Sequence, residues 1–233
     1  VDDARACKDA VERDLMREAS RINDVVMERA AAYMKEGMTE REVADYIVAQ
    51  YAAEGCDSTA FLPIVSYGAH AADPHHEADQ TRLKAGDCIV IDMGCRKNRY
   101  CSDMTRTVAV GSVTDEMRQV YDTVLQAQLA GIAAARAGAT GKAVDGAARD
   151  IIRQAGYGPC FGHSFGHSVG GEIHEGPNAT PSNDKPLPAG AVISAEPGIY
   201  LPGKLGVRIE DVLYLTPEGC QNLTLAPKEL VIL

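Results

Sequence analysis

Residues 83–94, LKAGDCIVIDMG, are echoed at residues 187–198 by LPAGAVISAEPG. Leu83, Ala85, Gly86, Asp92 and Gly94 fall on Leu187, Ala189, Gly190, Glu196 and Gly198, each pair 104 positions apart. Each stretch is an apolar run that closes on a carboxylate. The pattern ahead of them repeats too. MREASRINDVVMERAAAYMKEG (16–37) and REVADYIVAQYAAEG (41–55) carry apolar residues at helical spacing. Met16, Arg17, Gly37, Thr39, Val43 and Gly55 are matched by Met117, Arg118, Gly138, Thr140, Val144 and Gly156, all 101 positions on. Gly37 is expected to end the first helix, and Thr39 with Glu42 to open the second as a capping box. A constant offset through two helices and a near-constant one through a strand reads as an internal duplication. The expected fold is therefore α+β. A single domain over 1–233 contains pseudo-repeats at about 10–110 and 111–225. Pseudo-two-fold helix pairs should cover the outer face of one curved antiparallel sheet.

The duplication gives Asp92 and Glu196 equivalent places near the pseudo-symmetry axis. A carboxylate beside an apolar strand is costly to bury unless it is paired or bound to a metal. CIVID puts Cys88, Val90 and Asp92 on one strand face; beyond a turn at 94–101, Asp103, Thr105 and Thr107 share another. If these strands pair antiparallel, Asp92 and Asp103 face each other across the hairpin. In the second half VISAE ends at Glu196, and the returning GVRIEDVLYL puts Arg208, Glu210 and Val212 on one face. Four carboxylates would converge, and like charges at that range repel. Divalent cations would offset the repulsion. Of six histidines, three lie in GHSFGHSVGGEIHE (162–175). His163 and His167 are four apart, but the glycines disfavour a helix and no HExxH occurs. An extended or bulged strand is expected there. Carboxylates with one imidazole suit manganese, cobalt, zinc or iron(II). A bridging carboxylate can hold two such ions ~3.5–4 Å apart.

Composition narrows the class. Of 233 residues 45% are hydrophobic, enough for a sizeable core. The formal net charge is −10 and no Lys/Arg cluster stands out, which argues against a nucleic-acid partner. No apolar run approaches the ~20 residues that span a bilayer. The seven cysteines are odd in number and contain no CxxC pair. That speaks against a disulfide framework or structural zinc and for reduced thiols in the cytoplasm.

Taken in order, IDMG, SDMTRT, GHSFGHSVGGEIHE, EPGIY and GVRIED resemble the pita-bread metallopeptidases: methionine aminopeptidase, aminopeptidase P and Xaa-Pro dipeptidase (prolidase). The resemblance covers essentially the whole chain. It implies a hydrolase with two divalent metal ions, manganese first and cobalt, zinc or iron as substitutes, held by Asp92, Asp103, His167, Glu196 and Glu210. Asp103 and Glu210 would bridge the ions, His167 and Glu196 complete one, and Asp92 chelate the other. SDMTRT, EPGIY and Arg208-Ile209-Glu210-Asp211 look like the proline-peptidase branch, whose substrates are peptides with an N-terminal Xaa-Pro bond. In that branch the PHH segment (74–76) resembles the one bearing the carbonyl-holding histidine, matched by His75 rather than His76. The implied catalytic set is Glu196 as acid/base, with His174 and His75 on the carbonyl oxygen. His163, Arg208 and His75 would contact substrate. Methionine aminopeptidase is the alternative activity, and a non-catalytic peptide-binding module the alternative class. Proline peptidases of this kind are often dimers, so a homodimer is admitted. They also carry a smaller N-terminal domain, read here as absent, with Val1 where the linker would lie. Phe165 and Gly171 depart from the aliphatic residues usual at those positions.

Overall fold

Residues 2–233 are described by a computed structural model; Val1, read above as a linker position, lies outside them. In the first half the helices are α1 (Asp2–Ala6), α2 (Ala10–Tyr33) and α3 (Glu40–Ala53). The strands that follow are β1 (Ser58–Thr59), β2 (Ile64–Tyr67), β3 (Cys88–Met93), β4 (Cys95–Lys97), β5 (Tyr100–Cys101) and β6 (Met104–Ala109). The second half opens with α4 (Asp115–Ala134) and α5 (Gly141–Gln154). It continues with β7 (Gly166–Ser168), β8 (Glu175–Ala179), β9 (Val192–Ala195), β10 (Gly198–Leu201), β11 (Leu205–Arg208), β12 (Asp211–Leu215) and β13 (Cys220–Asn222). Among the described residues no helix is long and apolar enough to cross a membrane.

The expected caps form. Thr39 N–H donates to Glu42 Oε2 (2.7 Å) and Glu42 N–H to Thr39 Oγ1 (3.1 Å). Thr140 caps α5 with one half of that pair, its Oγ1 accepting from Ala143 N–H (3.1 Å). Gly37, however, does not end the first helix. α2 stops at Tyr33 because Met34 turns extended (ψ 136), and Gly37 (φ +87) serves the connection instead. There Gly37 N–H donates to Leu83 O (2.7 Å), as Gly138 N–H does to Leu187 O (2.8 Å). The duplication thus extends to individual backbone bonds.

The main sheets are β2-β3-β6 and β13-β12-β9-β7-β8, with all ladders antiparallel. They are separate ladders rather than the single continuous sheet expected. The first meets the separate β10-β11 hairpin, which leads into β12 of the second, where β6 passes β11. Glu210 N–H donates to Thr105 O (3.0 Å), and Thr107 Oγ1 both accepts from Arg208 N–H (3.1 Å) and donates to Arg208 O (2.8 Å). A side-chain hydroxyl stands in for ladder rungs at the seam.

The expected register between the first two carboxylates needs correction. Asp92 pairs with Thr105 and with Ile64, not with Asp103. The segment read as a plain turn forms β4 and β5, turning through Asn98 (φ 49) and Arg99 (φ 70). Asp103 therefore precedes β6 and lies diagonal to Asp92.

Each helix pair covers its own strands. Ile22, Val26 and Ile47 pack with Val65, Ile89 and Ile91; Val120, Val124 and Ile152 pack with Ile193 and Leu213. Cys88 and Val90 join the second half's core, so β3 alternates as its pattern demands and Asp92 shares their face. α4 approaches β7 closely at Gly131, where a Cβ would lie 2.2 Å from the buried Phe165 ring.

Candidate metal centre

β3 supplies Asp92, the approach to β6 supplies Asp103, and β7 supplies His167. Glu196 follows β9, and Glu210 sits between β11 and β12. β7 is bulged between Gly166 and Ser168, as the glycines suggested. Ser194 ties it to β9: its Oγ accepts from His167 N–H (3.0 Å) and donates to Glu196 Oε1 (2.9 Å).

The arrangement is short of donors. His167 Nδ1 lies 3.1 Å from Ser168 O, so Nδ1 carries the hydrogen and Nε2 a lone pair. That lone pair sits 3.3 Å from Glu196 Oε1 and 3.4 Å from Asp103 Oδ2. Acceptor faces acceptor, and a cation between them would turn each into a ligand. Asp92 Oδ1 is buried with no hydrogen-bond partner. Burial, reinforced by neighbouring carboxylates, raises Asp103 and Glu210 well above the ordinary range; burial also raises Glu196. Burial lowers His167, which favours the neutral ligand form. The donor set and the orphaned oxygen fit divalent metal ions.

Arg208 is the local counter-charge. Nη2 donates to Asp92 Oδ2 (2.5 Å), Nε to Thr105 Oγ1 (3.0 Å) and Nη1 to Tyr200 OH (2.9 Å). Thr105 Oγ1 in turn donates to Glu210 Oε2 (2.7 Å). Tyr200 OH lies 2.8 Å from His163 Nε2, and His163 Nδ1 2.9 Å from Ser164 O. Arg208, expected to contact substrate, is 3% exposed and has its fork engaged with protein oxygens.

All five expected ligands, with His75, His163, His174 and Arg208, line one cavity of about 530 Å³. The His174 ring lies 4.2 Å from that of His167, tilted 55°. Burial, then the neighbouring His167, lowers His174. His76, by contrast, turns its Nε2 to Glu40 (2.7 Å). Sequence reasoning gave no role to Tyr200 or Ser194. Tyr200 lay in the EPGIY motif and Ser194 two residues before Glu196 in VISAE. Their pattern carried no signal beyond that proximity.

A model of metallopeptidase family M24 matches residues 14–217. The Xaa-Pro dipeptidase of Pyrococcus furiosus is 41% identical over 231 residues, covering 99% of this chain and 66% of that protein. Among solved structures, an Xaa-Pro dipeptidase from Bacillus anthracis superposes with a TM-score of 0.98 at 40% identity, covering 100% of this chain and 65% of that one. An X-Pro aminopeptidase from Thermotoga maritima MSB8 gives 0.98 and 40% as well, covering 100% and 66%. The chain spans 63–66% of the length of the curated relatives it matches. These neighbours share the duplicated pita-bread architecture described above. With a family model over most of its length and its donor-poor carboxylates gathered around His167, the chain belongs to metallopeptidase family M24.

Proposed function

We propose that this chain hydrolyses the first peptide bond of peptides whose second residue is proline. The observation that carries the reading is the His167 Nε2 lone pair set among carboxylate oxygens on a cavity wall. The names of the relatives, dipeptidase and aminopeptidase on Xaa-Pro, support the substrate class. Asp92, Asp103, His167, Glu196 and Glu210 would hold two divalent ions, manganese by preference. Those ions would supply Lewis acidity at the scissile carbonyl and acidify a water.

The chain's own groups do the rest. Glu196 has Oε1 occupied by Ser194, which leaves Oε2 to take the proton of the attacking water and return it to the proline nitrogen. His75 and His174, on the cavity wall, hold the scissile carbonyl oxygen as charge develops there. His163 lines the site of the second residue, and Asp92 receives the substrate's free amine. Arg208 keeps Asp92 in place through its fork. All seven cysteines are free, which suits a reducing cytoplasm. A homodimer is the assembly proposed.

The test is a peptide panel on the metal-reconstituted chain. Release from Gly-Pro or Arg-Pro-Pro is expected, and their ratio separates dipeptidase from aminopeptidase behaviour. Methionine release from Met-Ala-Ser without cleavage of either proline peptide would overturn the reading.

A further inference from the structure

A second carboxylate–imidazole cluster lies beside the metal centre. Glu40, the first residue of α3, is fully buried. Its Oε1 accepts from Tyr67 N–H (2.8 Å) and faces His70 Nδ1 (3.0 Å). Its Oε2 accepts from Asp79 N–H (3.1 Å) and faces His76 Nε2 (2.7 Å). Ligand atoms of Glu40, His70, His76 and Asp79 all lie within 4.8 Å of one another, so a third metal is the obvious alternative. The hydrogen-bond balance argues otherwise. A carboxylate only accepts, so each ring nitrogen that faces it presents N–H. Each oxygen of Glu40 then has two donors, and nothing is left orphaned.

The donors come from positions 67, 70, 76 and 79, which bracket His75. The His75 side chain has no hydrogen-bond partner among the described residues. Only its backbone is held, by Asp73 Oδ1 accepting from His75 N–H (3.0 Å). The duplication offers a control. The counterpart of Glu40 is Gly141, 101 positions on. A Cβ there would meet Asn178 O at 2.3 Å, and the next residue, Lys142, donates its N–H to Asn183 O (2.8 Å). The start of α5 thus closes directly on the segment that follows His174. In the first half the start of α3 makes the matching backbone bonds, Glu40 N–H to Thr81 O (3.1 Å) and Arg41 N–H to Asp79 O (3.0 Å), and the Glu40 side chain adds a reach to 67, 70 and 76 that Gly141 lacks.

We infer that Glu40 is a positioning residue: it clamps segment 67–79 so that His75 is presented to the cavity. The inference rests on the proposed peptidase reading for its kinetic consequence, though not for the clamp itself.

The test uses the full metal-loaded chain and Glu40→Gln. The amide turns an NH2 toward one donor pair and unmakes half the clamp. Hydrogen exchange should quicken at least about tenfold over 67–79 and stay unchanged over 88–109. Unchanged exchange over 67–79 overturns the inference. With Gly-Pro, kcat should fall about tenfold to a hundredfold while KM moves less than about twofold. The loss should vanish in a His75→Ala background, because the two changes act through one group. Additive losses would make Glu40 a general support and overturn the inference. Bound metal should be equal in Glu40→Gln, in His76→Asn and in the unaltered chain; an extra equivalent lost in His76→Asn would make this a metal site instead. If Glu40→Gln does not fold, His76→Asn carries the same exchange and kinetic comparisons. If the unaltered chain cleaves no proline peptide, the proposed function fails, and exchange over 67–79 still decides the clamp.

Discussion

Glu40 and Asp103 are both buried carboxylates with imidazoles beside them, yet their surroundings are opposite in kind. Around Glu40 every oxygen meets two N–H donors. Around Asp103 a histidine lone pair faces two carboxylates, and Asp92 Oδ1 meets nothing. Residue types alone do not separate a metal site from a clamp, since both clusters offer histidine and carboxylate. The balance of donors against acceptors does. A deficit of donors marks the place that needs a cation.

The comparison is broken most directly at its centre. Asp103→Ala or Glu210→Ala should abolish both metal uptake and peptide hydrolysis, read by elemental analysis and the Gly-Pro assay. Turnover that persists in either variant would sink the two-metal reading.

Next in size is the response to chelation. Asp103, Glu196 and Glu210 are raised, so the metal-free folded chain keeps protons that the unfolded chain has released. Its stability should fall as pH climbs from the ordinary carboxylate range, about 4, through the raised folded values. Loaded metal should reverse the slope, because the ligands must then be deprotonated. Calorimetry of the chelated chain should give a higher Tm at about pH 5 than at about pH 7.5, with a smaller difference in Asp103→Ala. A Tm that does not respond to pH in the chelated chain would contradict the donor deficit.

Arg208→Lys is expected to be milder. Lysine keeps a charge but cannot serve Asp92, Thr105 and Tyr200 with one planar fork. Metal affinity should weaken on the order of 10- to 100-fold, as for other groups that orient a ligand. Isothermal titration would read it, and unchanged affinity would remove Arg208 from the site's support. The smallest effect belongs to His70→Asn. Its side chain is 37% exposed, and Glu40 Oε1 keeps the Tyr67 N–H. Urea unfolding should register a loss within about 1 kcal/mol. A larger loss would mean that the Glu40 donors are not shared as described.

Much of this was legible in the residues. The offsets of 101 and 104 announced the duplication, and Gly37 and Gly138 make matching backbone bonds to Leu83 and Leu187. Thr39 and Glu42 announced a cap that forms. The two carboxylates on repeat-related strands announced a site, because such a cost has few remedies. What stayed hidden depended on register and on reach. Asp92 and Asp103 are diagonal because β4 and β5 take up residues that looked like a simple turn. The strand face of Arg208 did not name its partner, since Asp92 lies 116 residues away. Glu40 passed unnoticed between Thr39 and Glu42, where an acidic first turn is ordinary helix chemistry. Only the fold brings 67–79 over it.

The contact between Gly131 and Phe165 ties two distant positions together. A Cβ at 131 would strike the Phe165 ring at 2.2 Å. Any side chain at 131 therefore requires a smaller residue at 165, and a smaller residue at 165 beside Gly131 leaves a void between α4 and the start of β7. In a hybrid with another chain of this fold, a crossover between 131 and 165 separates the pair, and crossover points are best chosen to keep the two together.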